Sequence, residues 1–88
     1  MRTIHDEAAT VAADRERTTA FRQLRRDMRY IARVLRRYDA TPQGPDWDTA
    51  YAYKWDCERR LELRYGRETL FRMKQIVIRT YRLSKIGA

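Results

Sequence analysis

The chain has 88 residues, 43% of them hydrophobic and 36% charged, with three glycines, two prolines and a formal net charge of +8 at pH 7. That length holds one small domain with a modest core, and that balance suits helices with one buried face better than a β-sandwich or a disordered tail. A single cysteine (Cys57) and a single histidine (His5) rule out an intramolecular disulfide and leave no cluster of soft metal ligands, so no metal site is expected.

The first residues, MRTIHDEAATVAADRER, contain no apolar h-region, and no run in the chain approaches the roughly 20 residues of a membrane span, which predicts a cytoplasmic protein without membrane contact. Residues 1–17 read as a helical arm, with Thr3 and Asp6 as a weak capping box. Ile4, Ala8 and Val11 share a face, but that face points about 160° away from the apolar stripe that follows it. The change of phase predicts a break near DRERTT, with Thr18 or Thr19 capping a second helix, or else a different partner for the arm.

Residues 18–39 form the basic helix. Phe21, Leu24, Met28, Ile31, Leu35 and Tyr38 alternate spacings of three and four, the narrow heptad seam by which one helix lies along another, and the first five are expected to be largely buried. From the other side project Arg22, Arg25, Arg26, Arg29, Arg33, Arg36 and Arg37, a stripe about 24 Å long at the helical rise. Asp27 is the one acid placed to neutralise it. Solvated helix faces usually mix signs to gain i,i+4 pairs, so a nearly pure stripe carries a self-repulsion that an anionic partner relieves. Phosphates along a nucleic-acid backbone suit it, and so does an acidic protein surface.

The charge is segregated along the chain. Residues 15–37 and 59–85 each carry a net +7, residues 38–58 a net −4 and residues 1–14 a net −2. Seventeen of the twenty basic residues are arginine. Arginine offers a planar bidentate fork where lysine offers a point charge, although GC-rich coding produces the same excess.

TPQGP, residues 41–45, is the evident loop. Residues 46–65 then read as a second helix, with Asp46 as its N-cap and Asp48 in the first turn. Trp47, Ala50, Tyr51, Cys57, Leu61 and Tyr65 share its broad apolar face. Trp47, Tyr51 and Trp55 also form an i, i+4, i+8 ridge. Trp47 and Tyr51 fall near the apolar face and are expected in the core, while Trp55 stands at the edge beside Asp56, Glu58 and Glu62. Acids make the ridge a poor platform for bases but a reasonable protein anchor, so Trp55 and Tyr51 are candidates for a protein interface. Gly66 sits where a helix C′ residue belongs.

Residues 67–84 carry a last stripe, Leu70, Met73, Val77 and Tyr81, offset by about 140° from the Leu61–Tyr65 face. The β-branched and aromatic content of QIVIRTYRL also admits a strand, but the stripe favours a helix. Chemistry is nearly absent. Cys57 lies on an apolar face with no group to orient His5 toward it, Ser84 is the only serine, Asp46 and Asp48 read as caps, and there is no phosphate-binding glycine loop. A non-enzymatic protein without a cofactor is expected.

These features predict an all-α fold, a small helical hairpin or bundle of three to four helices, in which the Phe21–Tyr38 seam packs on the Trp47–Tyr65 face. The Ile4–Val11 and Leu70–Tyr81 stripes then cover each other or are covered by a second copy, so a homodimer or heteromeric complex is expected. No helix-turn-helix with a central glycine occurs in the first 40 residues, and IHDEAATVAA is not the strand a ribbon-helix-helix protein needs. The function this predicts is a basic helical module binding nucleic acid, DNA or RNA, as a regulator or accessory factor. The alternative is an inhibitor or adaptor, of the kind phages and mobile elements encode, docking its basic face on an acidic protein or ribonucleoprotein surface. A purely structural oligomer subunit would need no polyanion.

Overall fold

Strong helix formers fill residues 4–40 with no glycine or proline among them. The computed structural model, which describes residues 4–84 and their side chains from residue 8 onward, places this whole stretch in one helix, α1 (Ile4–Ala40). The break expected near DRERTT does not occur. Thr18 caps nothing; its hydroxyl donates to the Asp14 carbonyl at 2.9 Å from within the helix. A phase change forces a break only when both faces must pack on one neighbour, and among the described side chains of the upstream half of α1 none is buried. Val11 is 51% exposed and Phe21 61%, so their direction costs the helix nothing. The proposed capping box at Thr3 lies outside the described residues, as do the side chains of Ile4, His5 and Asp6.

Thr41 closes α1, its N–H and its hydroxyl both donating to the Arg37 carbonyl, at 3.0 and 2.7 Å. The second helix, α2 (Pro45–Tyr65), starts one residue earlier than expected, because proline is preorganised for the first helical position and has no N–H to leave unpaired there. Asp46 is therefore not the cap; it joins Asp48 in the first turn, where the helix dipole favours acids. Gly66 alone separates α2 from α3 (Arg67–Tyr81). Its N–H donates to the Glu62 carbonyl at 2.8 Å, and its own carbonyl accepts from the Leu70 N–H at 3.1 Å. That double role uses φ +87° and ψ 164°, a conformation open in practice only to glycine.

The segment that admitted a strand is helical, because the spacing of Leu70, Met73 and Val77 buries all three on one side. Beyond it Arg82 adopts a left-handed conformation, the Leu83 N–H bonds the Ile78 carbonyl at 3.0 Å, and Leu83 folds back into the core. Three helices, within the three to four expected, make up the described residues, and each packs on the other two. Among those residues there is no strand.

The core joins Ile31 and Leu35 of α1, Cys57 and Leu61 of α2, and Leu70, Met73 and Val77 of α3, with Leu83 behind them. The expected seam is thus fully buried only at Ile31 and Leu35. Leu24, Met28 and Tyr38 are half-buried, and Phe21 is outside the bundle. The Leu70–Val77 stripe is covered by α1 and α2, not by the N-terminal arm. At 37 residues α1 is about 55 Å long, far more than its two neighbours can cover, and the molecule measures 65 × 21 × 18 Å.

Candidate nucleic-acid interface

All seven candidate arginines of α1 are exposed. At about 100° per residue they occupy an arc of about 120°, continuous along the bundle-bearing half of the helix. Among the described residues no carboxylate pairs with Arg22, Arg26, Arg29 or Arg33. Three others meet aromatic rings: Arg25 lies 6.0 Å from the Phe21 centroid, Arg36 4.5 Å from that of Tyr81 and Arg37 5.1 Å from that of Tyr53. These contacts hold the guanidinium planes without neutralising them.

Asp27, expected to offset the stripe, does not. It is 5% exposed and turned inward, toward the end of α2. Its carboxylate accepts from Arg64 Nη1 at 2.7 Å, from the Tyr65 hydroxyl at 2.5 Å and from Gln23 Nε2 at 3.2 Å. Burial alone would push the Asp27 carboxyl up; the hydrogen bonds from Tyr65, Arg64 and Gln23 outweigh it and hold the group below its usual range. The same contact drives Tyr65 up to about 12, through burial and through donation to the carboxylate. The acid in the arginine run is therefore a strut between α1 and α2, and the outward face is left wholly basic.

At the end of the bundle Arg29, Arg33, Arg36 and Arg37 are brought together around an open cleft of about 680 Å³, lined also by Asp39, Tyr81 and Leu83. Arg22, Arg25 and Arg26 continue the face toward the overhanging half of α1. Tyr81, assigned to a buried stripe by its spacing, is 44% exposed here. Its place in the cleft depends on how the end of α3 meets α1, for which neither local sequence holds a signal.

The aromatic ridge of α2 divides. Tyr38, Trp47 and Tyr51 cluster where α1 turns into α2, with Trp47 and Tyr51 stacked at 5.2 Å. Trp47 is only half-buried and Tyr51 is exposed, so neither belongs to the core. The core face of α2 consists instead of Ala50, Cys57 and Leu61, whose small and aliphatic side chains let α1 and α3 approach. Trp55 is exposed and separate from that cluster, with Arg59 5.4 Å from its ring centroid. The acids expected to surround Trp55 are largely engaged elsewhere: Glu58 Oε1 lies 3.1 Å from Lys54 Nζ and 2.6 Å from Lys74 Nζ, tying α2 to α3, and Asp56 pairs with Arg60 at 2.9 Å.

Cys57 is fully buried, and burial pushes its thiol up to about 11 despite the Tyr30 hydroxyl beside it. Such a thiol is a packing group, with almost no thiolate at neutral pH. Among the described residues no group of three or more potential ligands gathers to hold a metal, and no helix is long and apolar enough to cross a membrane. No family model, curated protein or solved structure matches this chain.

Proposed function

We propose that the arginine face of α1 binds the phosphate backbone of nucleic acid, as a regulator or accessory module that reads charge and shape more than base sequence. One observation carries this reading: the only acid within the arginine run is turned into the bundle, leaving Arg22, Arg26, Arg29 and Arg33 exposed with no carboxylate paired to them among the described residues. Association with a polyanion releases counterions in proportion to the phosphates neutralised, so log affinity falls with log salt at about −0.9 per phosphate on B-DNA. Replacing Arg26, Arg29 and Arg33 by glutamine keeps helix propensity and removes three exposed charges. Binding to arbitrary duplex DNA or RNA is expected to weaken and the salt slope to shrink by about 3, read by titration over a salt series. Absence of binding to either polymer by the wild-type chain at low salt ends this reading.

A different observation favours the alternative, in which the basic face docks on an acidic protein or ribonucleoprotein surface. Trp55 and Leu63 stand exposed on α2, side chains of the kind that anchor protein interfaces. Retention of a protein partner after nuclease treatment, with no affinity for purified DNA or RNA, moves that reading to first place. Either way, we propose that the overhanging half of α1 is covered by a second copy or by a partner, since Val11 and Phe21 have no cover in the chain. An antiparallel second copy sets the net −2 of residues 1–14 beside the net +7 of residues 15–37.

A further inference from the structure

The cleft at the end of the bundle is more than a continuation of the basic face. Its volume of about 680 Å³ falls in the range of small-ligand sites. Four guanidiniums line it against a single acid, Asp39. The Arg36 guanidinium lies 4.5 Å from the centroid of the exposed Tyr81 ring, a flat cationic and aromatic stack open to solvent. Directly after Tyr81 comes Arg82 at φ 53° and ψ 50°, the one non-glycine residue with positive φ among the described residues. A left-handed arginine carries strain of about 1 kcal/mol or more and persists only where the surroundings hold it. Here it caps α3, its N–H and that of Leu83 both donating to the Ile78 carbonyl, and Leu83 is buried while lining the cleft together with Tyr81.

We infer that this cleft holds one unpaired nucleotide of a nucleic-acid strand, its base on the Tyr81–Arg36 stack and its flanking phosphates on Arg29, Arg33 and Arg37. The inference rests on the nucleic-acid reading above and narrows it to the single strand. A duplex keeps the faces of its bases covered by their neighbours, so it can use the guanidiniums but not the ring. An unpaired base brings a free π-face, and stacking on aromatic or guanidinium planes tolerates any sequence.

Fluorescence anisotropy at low salt on the full chain tests this, with a labelled oligothymidylate of about ten nucleotides, within the usual site sizes of single-strand binders, and a blunt-ended duplex of about ten base pairs that has no unpaired base. The wild-type chain is expected to prefer the single strand. Tyr81→Ala lowers affinity for that strand roughly tenfold, the scale of one lost stack, with no matching loss on the duplex, and Tyr81→Phe restores it. Arg36→Lys keeps the charge but not the plane and repeats the strand-specific loss, with circular dichroism confirming that each variant is folded. Equal losses on both substrates, or none on either, overturn the nucleotide site while leaving the phosphate-binding face intact. Thymidine monophosphate competing as strongly as the strand overturns it in favour of a free-nucleotide site. No binding of either polymer by the wild-type chain removes both readings together.

Discussion

A single carboxylate connects the stability of this protein to the polarity of its surface. Asp27 holds three donors while half-exposed Arg64 stays in contact with water. Asp27→Ala is expected to cost about 2 kcal/mol in chemical denaturation, near the lower end for hydrogen bonds to a charged group because the partners rehydrate. The pH dependence has a defined sign. Asp27 titrates below its usual value near 3.8 in the fold, so its contribution is present above that pH and is lost as pH falls through the folded value. The gap between wild type and Asp27→Ala therefore narrows in acid. Cys57 and Tyr65 run the other way, raised from 9.0 to about 11 and from 10.0 to about 12, so wild-type stability declines as pH climbs from about 9 to about 12. A thermal denaturation series across pH checks both limbs; a flat alkaline limb would show that neither group is protected by the fold. Asp27 stands four residues before Ile31 and so flanks the buried seam, a spacing that holds the signal for its inward turn even though the arginines around it suggest a role in offsetting the stripe. Its partners, 37 and 38 residues further on, are not legible, because they depend on the register at which α2 returns.

At the scale of elements, periodicity locates faces but not what covers them. The Leu70–Val77 spacing and the glycine at 66 sufficed to place α3, since a three–four stripe and a mandatory positive φ are local properties. The length of α1 escapes an equally local property: a shift of phase predicts a break, and none forms because Val11 and Phe21 stay exposed rather than packing on the bundle. Proximity to the α2 face predicts Tyr51 in the core, whereas it is Ala50 beside it that the close approach of the helices selects. The junction between α2 and α3 can be tested directly. A Cβ on Gly66 would meet no atom within 4 Å, so the cost of Gly66→Ala is conformational strain alone, about 1–3 kcal/mol. An unchanged denaturation midpoint would show that the junction relaxes to an ordinary backbone geometry without loosening the α2–α3 contact.

For the whole molecule the telling quantity is shape. A compact chain of this length has a radius of gyration of about 12 Å, and this one has 17.9 Å. The excess comes from the overhanging half of α1, which has little beyond helix propensity to support it, with Val11 and Phe21 exposed along it. Light scattering is expected to return more than the mass of one chain, and Phe21→Asp to restore the single-chain mass without loss of stability. A single-chain mass for the wild type at high concentration, with no partner present, would leave the overhang without a second copy. The choice of method matters because of the same overhang. A rod 65 Å long and about 20 Å across experiences more friction than a sphere of equal volume, so on a sizing column a lone chain elutes ahead of its mass and passes for a pair. Elution position alone thus reports the reach of α1, and only a measurement blind to friction reports how many chains there are.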